Sequence, residues 1–462
     1  MSQHPQDKIL LEKEAKYCSW GDTVHYAKEI KIFNRCEGSF VFDRNNTSYL
    51  DLQMWHSVAN FGYKNERLNN IVKGQIDVLP QLSCQYLHEE KILLSEKIAL
   101  NVEKTFGVKG RVHFNIGGAA AIEDAIKIVR NHTKKQSMFA FTGGYHGRTL
   151  GATSITSSYR YRENYGHFSD RAYFVPYPYR FRCPSGKSDA ECCDLTCFKD
   201  FSKLFESEYY SIVNPKTKNC EYGGFFVEPV QATGGYIVPP KGYFKELKKL
   251  LERHQVLFVS DEVHMGFYRT GKMWAIEHFD VVPDIIVFGK ACTNGLNPLS
   301  GVWAKEELIN PDVFPAGSTH STYSSNTIGT AAALGVMDLI EDSDFATSVP
   351  EKGRYFVERL KTLQKKYPQI GEVDGLGLAM RIEICQKDGR TPDRELTDRV
   401  VNIGLEGQLT AGGGKPKGLL LGVGGYYKNV FTLAPSLYIT RQEIDLAVDL
   451  IDEALRQGLS LK

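Results

Sequence analysis

The 462-residue chain has no apolar run approaching 18 residues, so nothing in it reads as a membrane-spanning helix. Nor is there an excess of one charge: 56 lysines and arginines stand against 55 aspartates and glutamates, for a formal charge of +1. With no basic tract, the electrostatic footprint of a nucleic-acid binder is missing. The stretch MSQHPQDKILLEKEAKYCSW lacks the apolar h-region of a secretory signal. These absences lead to the expectation of a cytoplasmic protein without nucleic-acid or membrane partners. Internal repeats, low-complexity tracts and Pro/Ser-rich linkers are absent as well. What is present, 42% apolar residues over this length, can bury a large core in two or three structural units.

Six of the ten cysteines (Cys18, Cys36, Cys84, Cys220, Cys292 and Cys385) are scattered singly. The other four, Cys183, Cys192, Cys193 and Cys197, crowd into the polar stretch RCPSGKSDAECCDLTC. Four thiols so close can hold zinc or an iron–sulfur cluster, but adjacent Cys192 and Cys193 do not match paired C-x2-C spacing. A surface excursion with unliganded thiols, or an occasional disulfide, is the competing reading.

From about residue 110 to 345, short β-rich runs alternate with longer amphipathic ones. MFAFT, AYFVP, GFFVE, VLFVS and IIVF read as buried strands. In the helical run AAAIEDAIKIVRNHTKK, Ile122, Ala125, Ile126 and Val129 share one face. This alternation predicts an α/β unit with a mostly parallel sheet, whose ligands sit beyond the carboxyl ends of the strands. The last hundred residues, with a long charged helix, short strands and a final amphipathic helix, read as a smaller α+β domain. The expected boundaries are 1–65 as an N-terminal segment contributing to the small domain, 66–345 as the large domain and 346–462 as the small domain.

Polar features cluster where these strands end. In IIVFGKACTNGLN a buried strand delivers Lys290 into a Gly- and Asn-containing turn. VLFVSDEVH ends a strand on Asp261 and Glu262; the bland reading is a helix cap or surface pair. FNIGGAAAIEDAIK places a Gly-Gly-Ala turn at a helix start, where backbone N–H groups and the positive helix end can hold phosphate. FTGGYHGRT adds an aromatic and a histidine. Together they supply a phosphate cradle, an aromatic platform, a carboxylate and an amine. Pyridoxal 5'-phosphate requires that set: a lysine to form the Schiff base and a carboxylate to keep the pyridine nitrogen protonated.

The order and spacing of GGAAAIEDAIK, FTGGYHGRT, VEPVQATGG, VSDEVHMGFYRTGK, FGKACTNGLNPLSG and HSTYSSN resemble those of class III aminotransferases, of the pyridoxal-phosphate fold-type I group. The resemblance runs from about residue 30 to the C-terminus. It implies a large domain with a mostly parallel seven-stranded sheet and helices on both faces, plus the smaller α+β domain. It makes Lys290 the Schiff-base lysine, pairs Asp261 with the pyridine nitrogen, and packs Val263 and Tyr145 on opposite ring faces with His146 alongside. Gly118 and Ala119 would hold the phosphate, reached by Thr322 from a neighbouring subunit, so that a homodimer shares its active sites. His264 falls where many members have a glutamine near the ring hydroxyl, and Glu228 at a rim position whose role varies with substrate. The implied activity is ping-pong transfer of an amino group from a primary amine or omega-amino compound to an oxo acid; the alternative is a lyase, racemase or decarboxylase on the same scaffold.

Departures from the family pattern concern substrate. Thr432 stands where many members carry an arginine that clamps a carboxylate, and Gly425 and Lys428 lie where omega-amine enzymes place a mobile one. Arg148 and Arg269 belong to motifs shared across specificities and do not replace it. Ala120 replaces a common glutamate, which favours donors whose reactive amine is terminal. Met54 and Trp55 stand where small residues are usual; Trp55 either narrows the pocket or lies in the core.

Overall fold

The computed structural model describes residues 4–21, 30–166, 168, 172–187, 194–210, 212–214 and 216–461. Fifteen strands are named here in chain order. The N-terminal three are β1 (Phe33–Glu37), β2 (Phe40–Asp43) and β3 (Ser48–Asp51). The central seven are β4 (Gly110–Asn115), β5 (Ser137–Phe141), β6 (Tyr173–Val175), β7 (Tyr222–Val227), β8 (Leu257–Asp261), β9 (Ile285–Phe288) and β10 (Ser300–Lys305). The C-terminal five are β11 (Ile370–Leu376), β12 (Ala379–Ile384), β13 (Gly418–Leu420), β14 (Gly422–Gly424) and β15 (Val430–Leu433).

The central strands form one sheet in the order β4-β10-β9-β8-β7-β5-β6. Strands β6, β5, β7, β8 and β9 run parallel, while β10 runs antiparallel to both β9 and β4. Both faces are covered, and the strands show it residue by residue. Phe139, Phe141, Phe225, Phe258, Ile286 and Phe288 belong to one apolar cluster, and Met138, Ala140, Phe226, Val259, Val287 and Val302 to another. Alternating side chains therefore enter two separate cores, which is why these strands read as unbroken apolar runs. The second cluster is closed by the helix Gly118–Thr133 through Ala121, Ile122, Ala125, Ile126 and Val129, the face anticipated from its 3.6-residue spacing.

At the amino ends of β8 and β9, Asp284 is a buried counter-ion. It accepts from Lys248 Nζ at 2.7 Å, Lys305 Nζ at 2.6 Å and the Phe258 N–H at 2.8 Å. Two four-stranded sheets complete the fold: β11-β12-β15-β14, and β1-β2-β3-β13, in which β3 pairs parallel with β13 from the far end of the chain. Among the described residues no helix is long and apolar enough to cross a membrane.

Candidate active site

Lys290 lies two residues beyond β9, at the carboxyl end of the parallel strands. Its backbone is left-handed, φ 46°, the conformation that L-residues other than Gly, Asn and Asp seldom adopt. Strain of this kind persists only where surrounding contacts hold it, and here it aims the side chain back toward β8. Lys290 Nζ lies 3.0 Å from His264 Nδ1, and His264 Nε2 lies 2.8 Å from the Tyr236 hydroxyl. Burial pushes the Lys290 pKa below its ordinary value, opposed by the Asp261 and Glu228 carboxylates. His264 is held well below its usual range by burial, then by Lys290, His56 and Arg269, so its ring is neutral.

Asp261 ends β8, is 5% exposed, and meets His146 Nδ1 through Oδ2 at 2.7 Å. Its other oxygen accepts from the Val263 N–H at 3.1 Å. Burial disfavours the His146 cation, but the bond and charge of Asp261, with Glu228 behind, outweigh it and raise the pKa. Glu228 follows β7, accepts from the backbone N–H groups of Tyr145 at 2.9 Å and Ala232 at 3.0 Å, and is pushed up to about 7 by burial and by Asp261, against His146. Glu262, by contrast, is turned away into the protein. It is fully buried and accepts from Ser260 Oγ and the Ala275 and Ile276 N–H groups, fixing the chain after β8.

Gly118 opens its helix behind Gly117, and no side chain caps that end. A Cβ on Gly118 would come within 3.0 Å of Val263 Cγ1, so the glycine lets the helix end and the second residue beyond β8 approach closely. Gly147, at φ 130°, is likewise required: its Cβ would fall 2.5 Å from that of Ala119. The Tyr145 ring packs edge-on to Tyr161 at 5.3 Å, and the Arg148 guanidinium lies over Tyr161 at 4.6 Å. Lys290, Asp261, His146, Glu228, His264, Val263, Gly118, Ala119 and Tyr145 thus share one end of the sheet.

The remaining candidates make no hydrogen bond to Lys290, Asp261 or His146 among the described residues. Thr322 is exposed on the turn before the helix Thr327–Glu341. Met54 is fully buried, and Thr432 is buried in β15 opposite Arg381. Trp55 is 59% exposed, which overturns the reading of a core tryptophan. Residues 54–57 form a left-handed turn, each with φ between 41° and 63°, and that turn carries Trp55 outward toward Gly295 of the Lys290 loop. Cys192 and Cys193 lie outside the described residues, and among the described residues no group of three or more His, Cys, Asp or Glu is arranged for a metal. The Cys197 thiol is raised to about 11, mainly by burial.

Sequence reasoning missed Tyr236 and His56, which the fold brings to Lys290 and His264. A tyrosine closing the glycine-rich VQATGGY turn was the available signal for the first. It also missed how Arg269 is used. Fully buried, Arg269 donates to Ser57 Oγ at 2.9 Å and to the Leu378 and Pro435 carbonyls at 3.1 and 2.6 Å, and so ties the left-handed turn to the β11-β12-β15-β14 sheet.

A family model described as class-III aminotransferase matches residues 24–455. An alanine/serine racemase of Pyrococcus horikoshii is 32% identical over 99% of this chain and 92% of its own length. A probable 4-aminobutyrate aminotransferase of Bacillus subtilis is 32% identical over 91% of this chain and 92% of its own. A solved Bacillus anthracis aminotransferase superposes with a TM-score of 0.86 at 26% identity, covering 99% of this chain and all of that one. The residues present fit the cofactor of that family: an uncapped helix end that a Cβ would crowd, a buried carboxylate with lone pairs left over after two bonds, and an amine of lowered pKa. The chain belongs to the class-III aminotransferases and is a pyridoxal-phosphate-dependent transaminase.

Proposed function

We propose that the amino donor is a primary amine or omega-amino compound and the acceptor an oxo acid, with Lys290 as the residue that binds the cofactor covalently and moves the proton. The observation that carries this reading is the meeting of Lys290, Asp261 and the uncapped Gly118 helix end at one end of the parallel strands. Bound pyridoxal phosphate supplies an electron sink for the bond broken beside the substrate nitrogen.

The side chains do the rest. Burial keeps a larger share of Lys290 as free amine than an exposed lysine would have, and Nζ then takes a proton from one carbon and returns it to another. Asp261 would serve the ring nitrogen, held in place by His146 Nδ1, which meets its Oδ2 at 2.7 Å. The N–H groups of Gly118 and Ala119, with the helix dipole, hold the phosphate. Tyr145, placed by the Glu228 carboxylate through its backbone N–H, and Val263 would hold the ring and exclude water from it.

The homodimer belongs to the same proposal. Val78 (83% exposed), Leu87 (72%), Tyr323 (68%) and Trp55 are large apolar side chains left bare on this chain, a pattern suited to cover by a second copy that would also receive Thr322. The parallel pairing of β3 with β13 supports assigning residues 1–65 to the small domain with 346–462.

The test is to give holoenzyme an amine donor alone and follow cofactor absorbance. Stoichiometric conversion to the pyridoxamine form, reversed by an oxo acid, is expected. A spectrum that returns to its start while the donor loses its chirality would replace the reading with racemisation, the activity named for the Pyrococcus relative.

A further inference from the structure

The roles above leave His264 and Tyr236 idle, although His264 contacts Lys290 directly. Tyr236 is 3% exposed and sits on a tight turn, its N–H and that of Gly235 both donating to the Ala232 carbonyl. Ala232 is itself held by the Glu228 carboxylate. That turn places the Tyr236 ring edge-on to the His264 ring, 5.3 Å between centroids, with the hydroxyl on Nε2. His264 faces Lys290, His56 and Arg269 as well as Tyr236, and Lys290 faces Asp261 and Glu228. A neutral imidazole has one donor and one acceptor nitrogen. The lysine brings donors, so Nδ1 accepts from Lys290 and Nε2–H donates to the Tyr236 oxygen.

We propose that His264, with its tautomer fixed by Tyr236, is the positioning residue that aims the Lys290 amine and sets how readily it gives up its proton. The inference rests on Lys290 being the covalent lysine. A glutamine at this place offers either a carbonyl or an amide N–H by flipping; the His264–Tyr236 pair presents an acceptor. Loss of that acceptor favours the uncharged amine, and a negative acceptor favours the ammonium.

The experiment strips holoenzyme of pyridoxal phosphate and measures its re-uptake rate against pH by absorbance, alongside the pH profile of the donor half-reaction. Uptake requires the uncharged Lys290 amine, so its midpoint reports that group without turnover. His264→Leu is expected to lower the midpoint by about one pH unit. His264→Glu should raise it by at least as much, and His264→Gln should keep it near wild type. Tyr236→Phe preserves the ring packing and is expected to lower the midpoint by less than His264→Leu. Equal midpoints for the Leu and Glu variants, or a Gln variant that shifts as far as Leu, would overturn the proposal. Lys290→Ala separates the two claims: covalent uptake that survives it refutes the assignment of Lys290, whatever the His264 series shows.

Discussion

Replacing Asp284 by asparagine keeps the side chain's size and removes its charge. Lys248 and Lys305, whose side chains are 11% and 21% exposed, then face a neutral acceptor. Breaking a buried pair by removing one partner costs about 3–5 kcal/mol. Lys248 retains Glu252 at 3.5 Å and Lys305 can reach water, so the lower end, about 3 kcal/mol, is expected. At roughly 2.1 cal/mol/K per residue, a chain of this length has an unfolding entropy near 1 kcal/mol/K, so Tm falls by about 3 °C. The Lys248 and Lys305 ammoniums hold the Asp284 pKa below the ordinary carboxylate range, against its burial. The pair's stabilisation is therefore fully present above the unfolded carboxylate pKa of about 3.9 and is lost as pH falls through the folded value. Thermal melts of holoenzyme at fixed cofactor, from pH 7 downward, should show the wild-type advantage shrinking only in the acid range. Because Asp284 lies at the opposite end of the strands from Lys290, turnover per folded molecule should be unchanged. Equal Tm values at pH 7, or a difference that persists unchanged well below pH 3, would mean that the Asp284 charge does not stabilise the fold through Lys248 and Lys305.

Asp261→Asn removes an ion-pair interaction worth about 4 kcal/mol at an effective dielectric near 20, so the donor half-reaction should slow about a thousandfold in stopped-flow absorbance. A fall of less than tenfold would mean that the carboxylate does not serve the ring nitrogen. Gly118→Ala puts a methyl group 3.0 Å from Val263 Cγ1 at the proposed phosphate end. Cofactor affinity, read by fluorescence titration, is expected to drop about tenfold with little change in the Tm of the cofactor-free protein; tight binding that survives would place the phosphate elsewhere.

Lys290, Asp261 and the Gly118 turn were legible in the sequence because each is local: a polar residue after an apolar run marks the end of a buried strand, and a glycine pair before a helical period marks a helix start. The five parallel strands were legible for the same reason. Strands β4 and β10 were not read from the pattern, since their antiparallel pairing joins Asn115 to Ser300, and no local periodicity encodes so distant a partner. The left-handed turn at 54–57 was equally hidden. Met, Trp and Ser have no preference for positive φ, and the turn is tied through Ser57 to Arg269, more than two hundred residues away. Tyr236 reaches His264 through the turn held by Glu228, a contact set by tertiary packing. The substrate remains the least legible part, because Thr432 shows only which carboxylate clamp is missing.

The central claim is tested most directly by reducing holoenzyme with borohydride, digesting it and locating the cofactor by mass spectrometry. One phosphopyridoxyl mass per chain is expected, on the peptide that contains Lys290. A label on any other lysine, or an unlabelled Lys290 peptide from fully loaded enzyme, would contradict it.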